Sequence, residues 1–268
     1  MLFFRHFQRF AGKEDFFMLL ETNDNKFASI FSGKYWREAA RQFKDVRMIT
    51  IAALIVALRV AVKFARIPIA DGLAISLDGY VNSLGSVIYG PLVGLMVGAV
   101  SDTLGCLVTG RMGEYFPPFM LTEMLSSFIF GLFFWKRKIR ISTALGAKFT
   151  VNFVCNIILT SLFNKWMYYL YYGLERAEAY NIINGVRIAK NLVLFPLEAT
   201  IIVMVLSACL PMLTRLGLVD KNYCFVSRPS NKKLALEVAL FTALSIALIL
   251  LYVFVLADVI SDLNIKFW

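Results

Sequence analysis

The chain has 268 residues, of which 59% are hydrophobic and 15% aromatic, and its formal net charge is +10. That apolar share is too high for a soluble domain of this length and indicates an all-α polytopic membrane protein. The basic residues flank apolar runs instead of forming one polar face, which argues against a nucleic-acid partner and for cationic loops at a cytoplasmic membrane surface.

Residues 1–47 come first, as a basic segment. Its stretch LFFRHFQRF interleaves cations with aromatics and offers no uninterrupted apolar core for a signal peptide. An in-plane amphipathic helix and a plain cytoplasmic tail both fit it. His6, the single histidine, lies here, which leaves no histidine for a catalytic or metal centre in the membrane. Apolar spans follow at about 48–66, 91–109, 117–135, 142–172, 188–215 and 233–257. Aromatic-rich stretches such as WMYYLYYG near run ends suit the headgroup belt. Cys106, Cys155, Cys209 and Cys224 are scattered, with neither metal-ligand spacing nor a disulfide framework.

Between the first two runs, LAISLDGYVNSLGSVIYG is weakly apolar and broken by glycines, and charge parity decides its status. The N-terminal segment and WKRKIR at 135–140 are both cation-rich and belong on the cytoplasmic side. An even number of crossings must separate them, so residues 74–90 count as a short, bent span. GLERAEAYN then falls outside, VDKNYCFVSRPSNKK at 219–233 inside, and the last run carries Asp258 and Asp262 out. The expected organisation is a basic segment over 1–47, a six-span unit over 48–216, and a linker with a seventh span over 217–268.

With this orientation, intramembrane charges can be placed by depth at about 1.5 Å per residue. Arg59 and Lys63 lie in the outer half of span 1, Asp102 near the middle of span 3, and Glu123 soon after the outer start of span 4. Arg187, Lys190 and Asn191 open span 6 from the outside on one helical face, with Glu198 further along it. Charges from four spans thus meet between the midplane and the outer surface. Ionisable residues at such depth are functional candidates by default, although snorkelling accounts for Lys63 and Lys190 and internal ion pairs would satisfy others. Cations outnumber anions there, which favours a small anionic ligand entering from outside.

The loop TGRMGEYFPPFM brings Tyr115 and Phe116 before two prolines that start the next helix. Their flat faces beside cations suit a planar ring bearing carboxylates, or else only mark the interface. Ala53, Ala57 and Ala61 form a small-residue stripe on span 1, as Gly94 and Gly98 do on span 3, a pattern that usually serves close packing within one chain. GxxxxGK[ST], a nucleophile elbow and HExxH are all missing, and no inverted halves stand out. A pocket without an engine suggests a binding subunit that borrows its power, with no cofactor of its own.

The strings IAALIVALRVAVKFARIPI, GPLVGLMVGAVSDTLGCLVTGRMGEYFPPFMLTEMLSSFIFGLFF and NGVRIAKNLVLFPLE, in this order over residues 48–216, resemble the substrate-binding S components of energy-coupling factor (ECF) transporters, most closely their folate-specific branch. The resemblance implies a six-helix protein of the bacterial cell membrane that captures a vitamin from outside. It also implies association with a transmembrane coupling subunit (EcfT-type) and two cytosolic ATPases, and release of the vitamin by toppling in the bilayer. By motif, Arg59, Tyr115, Phe116, Arg187, Lys190 and Asn191 carry over to substrate binding, Asp102 joins them, and Ala53, Ala57 and Ala61 carry over to the coupling interface. In that branch the pterin is held by aromatic and polar contacts and the glutamate tail by basic residues. Three features depart from the pattern: Pro118 in place of a glycine, the basic N-terminal segment, and the seventh span. An S component for another vitamin or small heterocycle, and an autonomous transporter or membrane enzyme, are the alternatives.

Overall fold

The computed structural model describes residues 32–70, 73–110, 115–137, 139, 141–174 and 185–219, with Ala243 and Ala247. Its elements are helix α1 (Gly33–Arg41), a 3-10 turn (Gln42–Lys44), α2 (Val46–Val62), strands β1 (Arg66–Ala70) and β2 (Leu73–Ser76), α3 (Asp78–Val108), α4 (Pro117–Phe134), α5 (Ile141–Val151), a π-helical segment (Asn152–Leu159), α6 (Thr160–Tyr172) and α7 (Gly185–Arg215). Asp78–Val108, Pro117–Phe134, Thr143–Tyr172 and Val193–Arg215 are long and apolar enough to cross a membrane. Large apolar side chains such as Leu54, Leu58, Leu107 and Phe153 are exposed on the outside, as expected of a bundle whose solvent is lipid.

The all-α architecture stands, with one small addition. Strands β1 and β2 pair antiparallel, Arg66 opposite Ser76 and Ile67 opposite Ile75. This hairpin takes up the connection after α2, so the weak span begins at Asp78 and not near residue 74.

Helix α3 is two arms joined at a turn. Gly90 has φ 80° and ψ −173°, a conformation that glycine adopts without steric cost, and Pro91 opens the second arm. The chain folds back there. Ser86 on the first arm donates to the Ser127 carbonyl at 3.2 Å, and a Cβ on Gly94 of the second arm would sit 3.2 Å from the same oxygen. Asn82 and Gly98, further from the turn, likewise both meet α4 between Glu123 and Ser127. The weak stretch is therefore a separate arm of the bundle, folded back against α4 beside the second arm. Its hydropathy is low because Asn82, Ser83 and Ser86 face neighbouring helices instead of lipid, and all three are buried and hydrogen-bonded.

One end of the bundle gathers the basic segments. In α1, Tyr35 and Ala39 are buried, Tyr35 meets Trp135 edge-on at 5.0 Å, and Trp36 stacks on Phe128 at 6.0 Å. Lys136 donates to Glu38 at 2.6 Å, and this bond holds the Glu38 carboxyl below its ordinary value. Arg47 donates to the carbonyl of Leu216 after α7. The N-terminal segment, the 135–140 stretch and the end of α7 thus share one side. Residues 1–31 lie outside the described residues, as does the expected seventh span at 233–257 apart from Ala243 and Ala247.

Toward that end the core is built from Val87 and Ile88 of α3, Phe130 and Phe134 of α4, Ala144 and Ala147 of α5, and Ile202 and Leu206 of α7. Gly131 lets α4 lie against the turn, since a Cβ there would sit 2.5 Å from the Pro91 Cα. Overpacking at such a contact costs about 1–3 kcal/mol, so Gly131→Ala should lower the melting temperature in detergent. Gly33→Ala, where a Cβ meets nothing within 4 Å, should leave it unchanged. Equal melting temperatures for the two variants would refute this packing.

Candidate functional site

Toward the opposite end the bundle encloses a polar cavity of about 300 Å3, at the small end of ligand-site volumes. Ser76 at the end of β2 and Asp78, Gly79 and Asn82 of α3 form one wall. Glu123, Ser126 and Phe130 of α4, Lys148 and Val151 of α5, Asn156 of the π segment, and Asn191, Leu194 and Glu198 of α7 close the rest.

Arg59 of α2 lies beneath the first wall and is fully buried. Its Nε and Nη2 each donate at 2.8 Å to one oxygen of Asp78, and Nη2 also donates to Glu123 Oε2 at 2.7 Å. Nη1 reaches Ser127 Oγ at 3.2 Å and Asn82 Oδ1 at 3.4 Å. A guanidinium in an apolar bundle must be paired on all its edges, and here five bonds do so. The two carboxylates it grips are cavity residues, so Arg59 orients their oxygens while remaining behind them.

Across the cavity, Lys148 pairs with Glu198 at 3.0 Å, joining α5 to α7. Just beyond Lys148 the helix widens into the π segment, where the Thr160 N–H returns to the Cys155 carbonyl. Such turns recur at functional sites, and this one carries Asn152 and Asn156. Asn156 Nδ2 donates to Asn152 Oδ1 at 3.2 Å and to Asn191 Oδ1 at 3.1 Å, while Asn152 Nδ2 donates to the Asn191 carbonyl at 3.3 Å. The amides hold this wall in register and present hydrogen-bonding groups to the interior.

The residues expected from the sequence divide. Asn191 lines the cavity. Arg187 lies on the α7 backbone one turn before it and Lys190 immediately before it, and their side chains fall outside the described residues. Arg59 does not line the cavity, because its whole guanidinium is consumed by Asp78, Glu123, Asn82 and Ser127. Asp102 does not line it either: it accepts from Lys63 at 3.1 Å, in room left by Gly105. Lys63 is thus paired inside the bundle instead of snorkelling. Tyr115 and Phe116 also lie off the cavity. Tyr115 shares a hydrogen bond with Thr103 at 3.2 Å, and Phe116 is buried edge-on among Phe119, Trp166 and Tyr171 at 5.5–6.3 Å.

The expected excess of cations is also corrected among the described residues. Arg59, Lys63 and Lys148 all pair with carboxylates, and the carboxylates Asp78, Glu123 and Glu198 in the cavity wall face a single lining cation, Lys148. Asp78, Lys148 and Asn156 are the residues that sequence reasoning missed. Asp78 sat in the weakly apolar stretch, and Lys148 and Asn156 were polar interruptions of the 142–172 run whose facing partners linear order does not reveal.

Ala53, Ala57 and Ala61 are exposed and line a second, apolar groove of about 590 Å3 on the outside of the bundle. Val56, Val60 and Phe64 of the α2 region and Val100, Leu104 and Val108 of α3 complete it. Gly94 and Gly98 serve a different contact, the close approach of α3 to the α4 backbone, where a Cβ on Gly98 would lie 2.7 Å from the Glu123 carbonyl oxygen.

The family model "ECF transporter, substrate-specific component" matches residues 47–214. A folate transporter FolT of Clostridium novyi (strain NT) is 28% identical over 120 residues, 45% of this chain. The matched stretch spans 64% of that relative, less than two thirds of its length. A folate transporter FolT of Leuconostoc mesenteroides is 27% identical over 162 residues, covering 59% of this chain and 83% of the relative. Among solved structures, FolT bound with folic acid aligns at 28% identity with a TM-score of 0.48, over 58% of this chain and 89% of that one.

Arg59→Ala would leave two carboxylates without their cation inside the bundle, a change that costs about 3–5 kcal/mol for a buried pair. Lys63→Ala breaks a single pair whose side chains keep 18% and 15% exposure, and should cost less than Arg59→Ala. Unfolding midpoints of the two variants check this order, and equal losses would contradict it.

Proposed function

This chain belongs to the substrate-specific components of ECF transporters, and on that premise we propose that it is the folate-binding subunit of such a transporter in a bacterial plasma membrane. The observation that carries the proposal is the polar cavity at the outer level of the bundle, in a chain whose curated relatives are folate transporters. A cavity of about 300 Å3 takes a bicyclic ring head and leaves the rest of the vitamin outside it. Asn191 stands at its α7 wall, Arg187 precedes it by about one turn, and Lys190 is the residue directly before it. We assign the glutamate tail's carboxylates to those two cations, through charge-assisted hydrogen bonds. The binding unit is residues 48–216, with 1–47 and 217–268 as additions to it.

The apolar groove along Ala53, Ala57 and Ala61 is the surface we assign to the transmembrane coupling subunit, because small side chains there let a partner helix approach closely. Two cytosolic ATPases would drive the cycle, since the sequence carries no phosphate-binding loop. The chain's own part is capture and release, not chemistry.

Mass spectrometry of the purified protein should find a bound folate, and a different heterocycle would replace the folate reading with another vitamin. Arg187→Ala should weaken folate binding roughly tenfold or more, the scale of a lost hydrogen bond to a charged group. Lys63→Ala, whose side chain is engaged with Asp102 away from the cavity, should leave the affinity nearly unchanged. Titrations in detergent decide this, and equal affinities would sink the tail assignment. Ala57→Leu should retain folate binding and abolish uptake in vesicles that contain the coupling subunit and ATPases. Uptake by this chain alone would overturn the dependence on partners.

A further inference from the structure

Resting on the folate reading of the cavity, we propose that the site selects its ring head by a donor edge. It takes a ring that presents an amino group beside a ring N–H, the 2-amino-4-oxopyrimidine pattern, and rejects the 2,4-dioxo pattern.

The first ground is acceptor capacity. A carboxylate offers about four lone-pair sites. Arg59 uses one on each oxygen of Asp78 and one on Glu123 Oε2. Glu123 Oε1 has no hydrogen bond among the described residues, and the Glu123 side chain retains 32% exposure, at the cavity wall. The neighbouring Asn82 spends one of the two N–H groups of its Nδ2 on Ser126 Oγ at 3.4 Å. This wall therefore offers acceptors held from behind by a fixed cation.

The second ground is charge. Lys148 and Glu198 cancel one another at 3.0 Å, whereas Arg59 faces two carboxylates. The single charge of Arg59 is thus shared between two carboxylates, in a bundle where an uncompensated charge is costly. A ring edge with two parallel N–H groups matches a carboxylate in the bidentate manner of a guanidinium and disperses that charge. An oxo group in place of the amino group would set a lone pair against it. Arg59 is a positioning residue in this account: it touches no ligand and fixes the acceptors that do.

Competition against folic acid on the purified full-length chain tests the assignment with two probes, 6-carboxypterin and 6-carboxylumazine, which differ in amino versus oxo at ring position 2 and in the N–H that the dioxo ring adds at N1. We expect 6-carboxypterin to compete and 6-carboxylumazine to bind at least about 100-fold more weakly, as sites built around a hydrogen bond reject the analogue that cannot make it. Glu123→Gln keeps Arg59 paired with Asp78, and an intact melting profile would verify its fold. In that variant the pterin-to-lumazine ratio should fall below about tenfold, because an amide can donate to an oxo group. Equal binding of both probes by a protein that binds folic acid would overturn the donor-edge assignment, as would an unchanged ratio in Glu123→Gln. Selective binding of 6-carboxypterin without binding of folic acid would support the donor edge and overturn the folate reading. Binding of none of the three would overturn both.

Discussion

The grip of Arg59 on Asp78 and Glu123 is the interaction on which the cavity half of this bundle depends. It ties α2 to the first arm of α3 and to α4 at one level, through bonds of 2.7–2.8 Å. Buried ion pairs are weak evidence for stability, since removing both charges can be neutral or favourable. What the network supplies is orientation. Two carboxylates stand at a cavity wall with their backs fixed, and Asn82 and Ser127 complete the hydrogen bonding behind them. This network gives the polar groups of the first arm of α3 their partners, which is the condition that hydrocarbon imposes on a segment within it.

Helix α2 serves two surfaces at once. Arg59 points inward to the cavity wall, while Ala53, Ala57 and Ala61, four residues apart on another face, are exposed in the apolar groove. Helical periodicity makes this division possible without any change of fold. It also sets a positioning residue and an exposed apolar groove on one rigid element. The glycines of α3 follow the same spacing for a different purpose: Gly94 and Gly98 bring two backbones together within the chain. Small-residue spacing alone does not separate packing within the chain from an outward face; the exposure of the alanines does.

Much of the architecture was legible in the sequence because membrane crossings obey strong rules. Hydropathy located the runs, and charge parity demanded the weak crossing before Gly90 that hydropathy left undecided. The basic segments do meet at one end, through Tyr35 with Trp135 and Arg47 with Leu216. Depth counting correctly brought Arg59, Asp102 and Glu123 to a similar level. The pairing was not legible, because two cations and three carboxylates at one level allow several matchings, and only packing decides that Lys63 takes Asp102 and Arg59 takes Asp78 and Glu123. Tyr115 and Phe116 read as ring platforms because aromatic side chains serve headgroup, core and ligand alike. Their neighbours Thr103, Trp166 and Tyr171 tie the start of α4 to α3 and α6.

The central claim is that the cavity walled by Asp78, Glu123, Lys148 and Asn191 is where the vitamin's ring is held. An experimental density map of the full-length protein with folic acid tests it most directly. The account predicts ring density within hydrogen-bonding distance of Asp78 or Glu123, with the tail leading toward the start of α7. Ring density stacked on Tyr115 and Phe116 instead, with the cavity left to solvent, would contradict it.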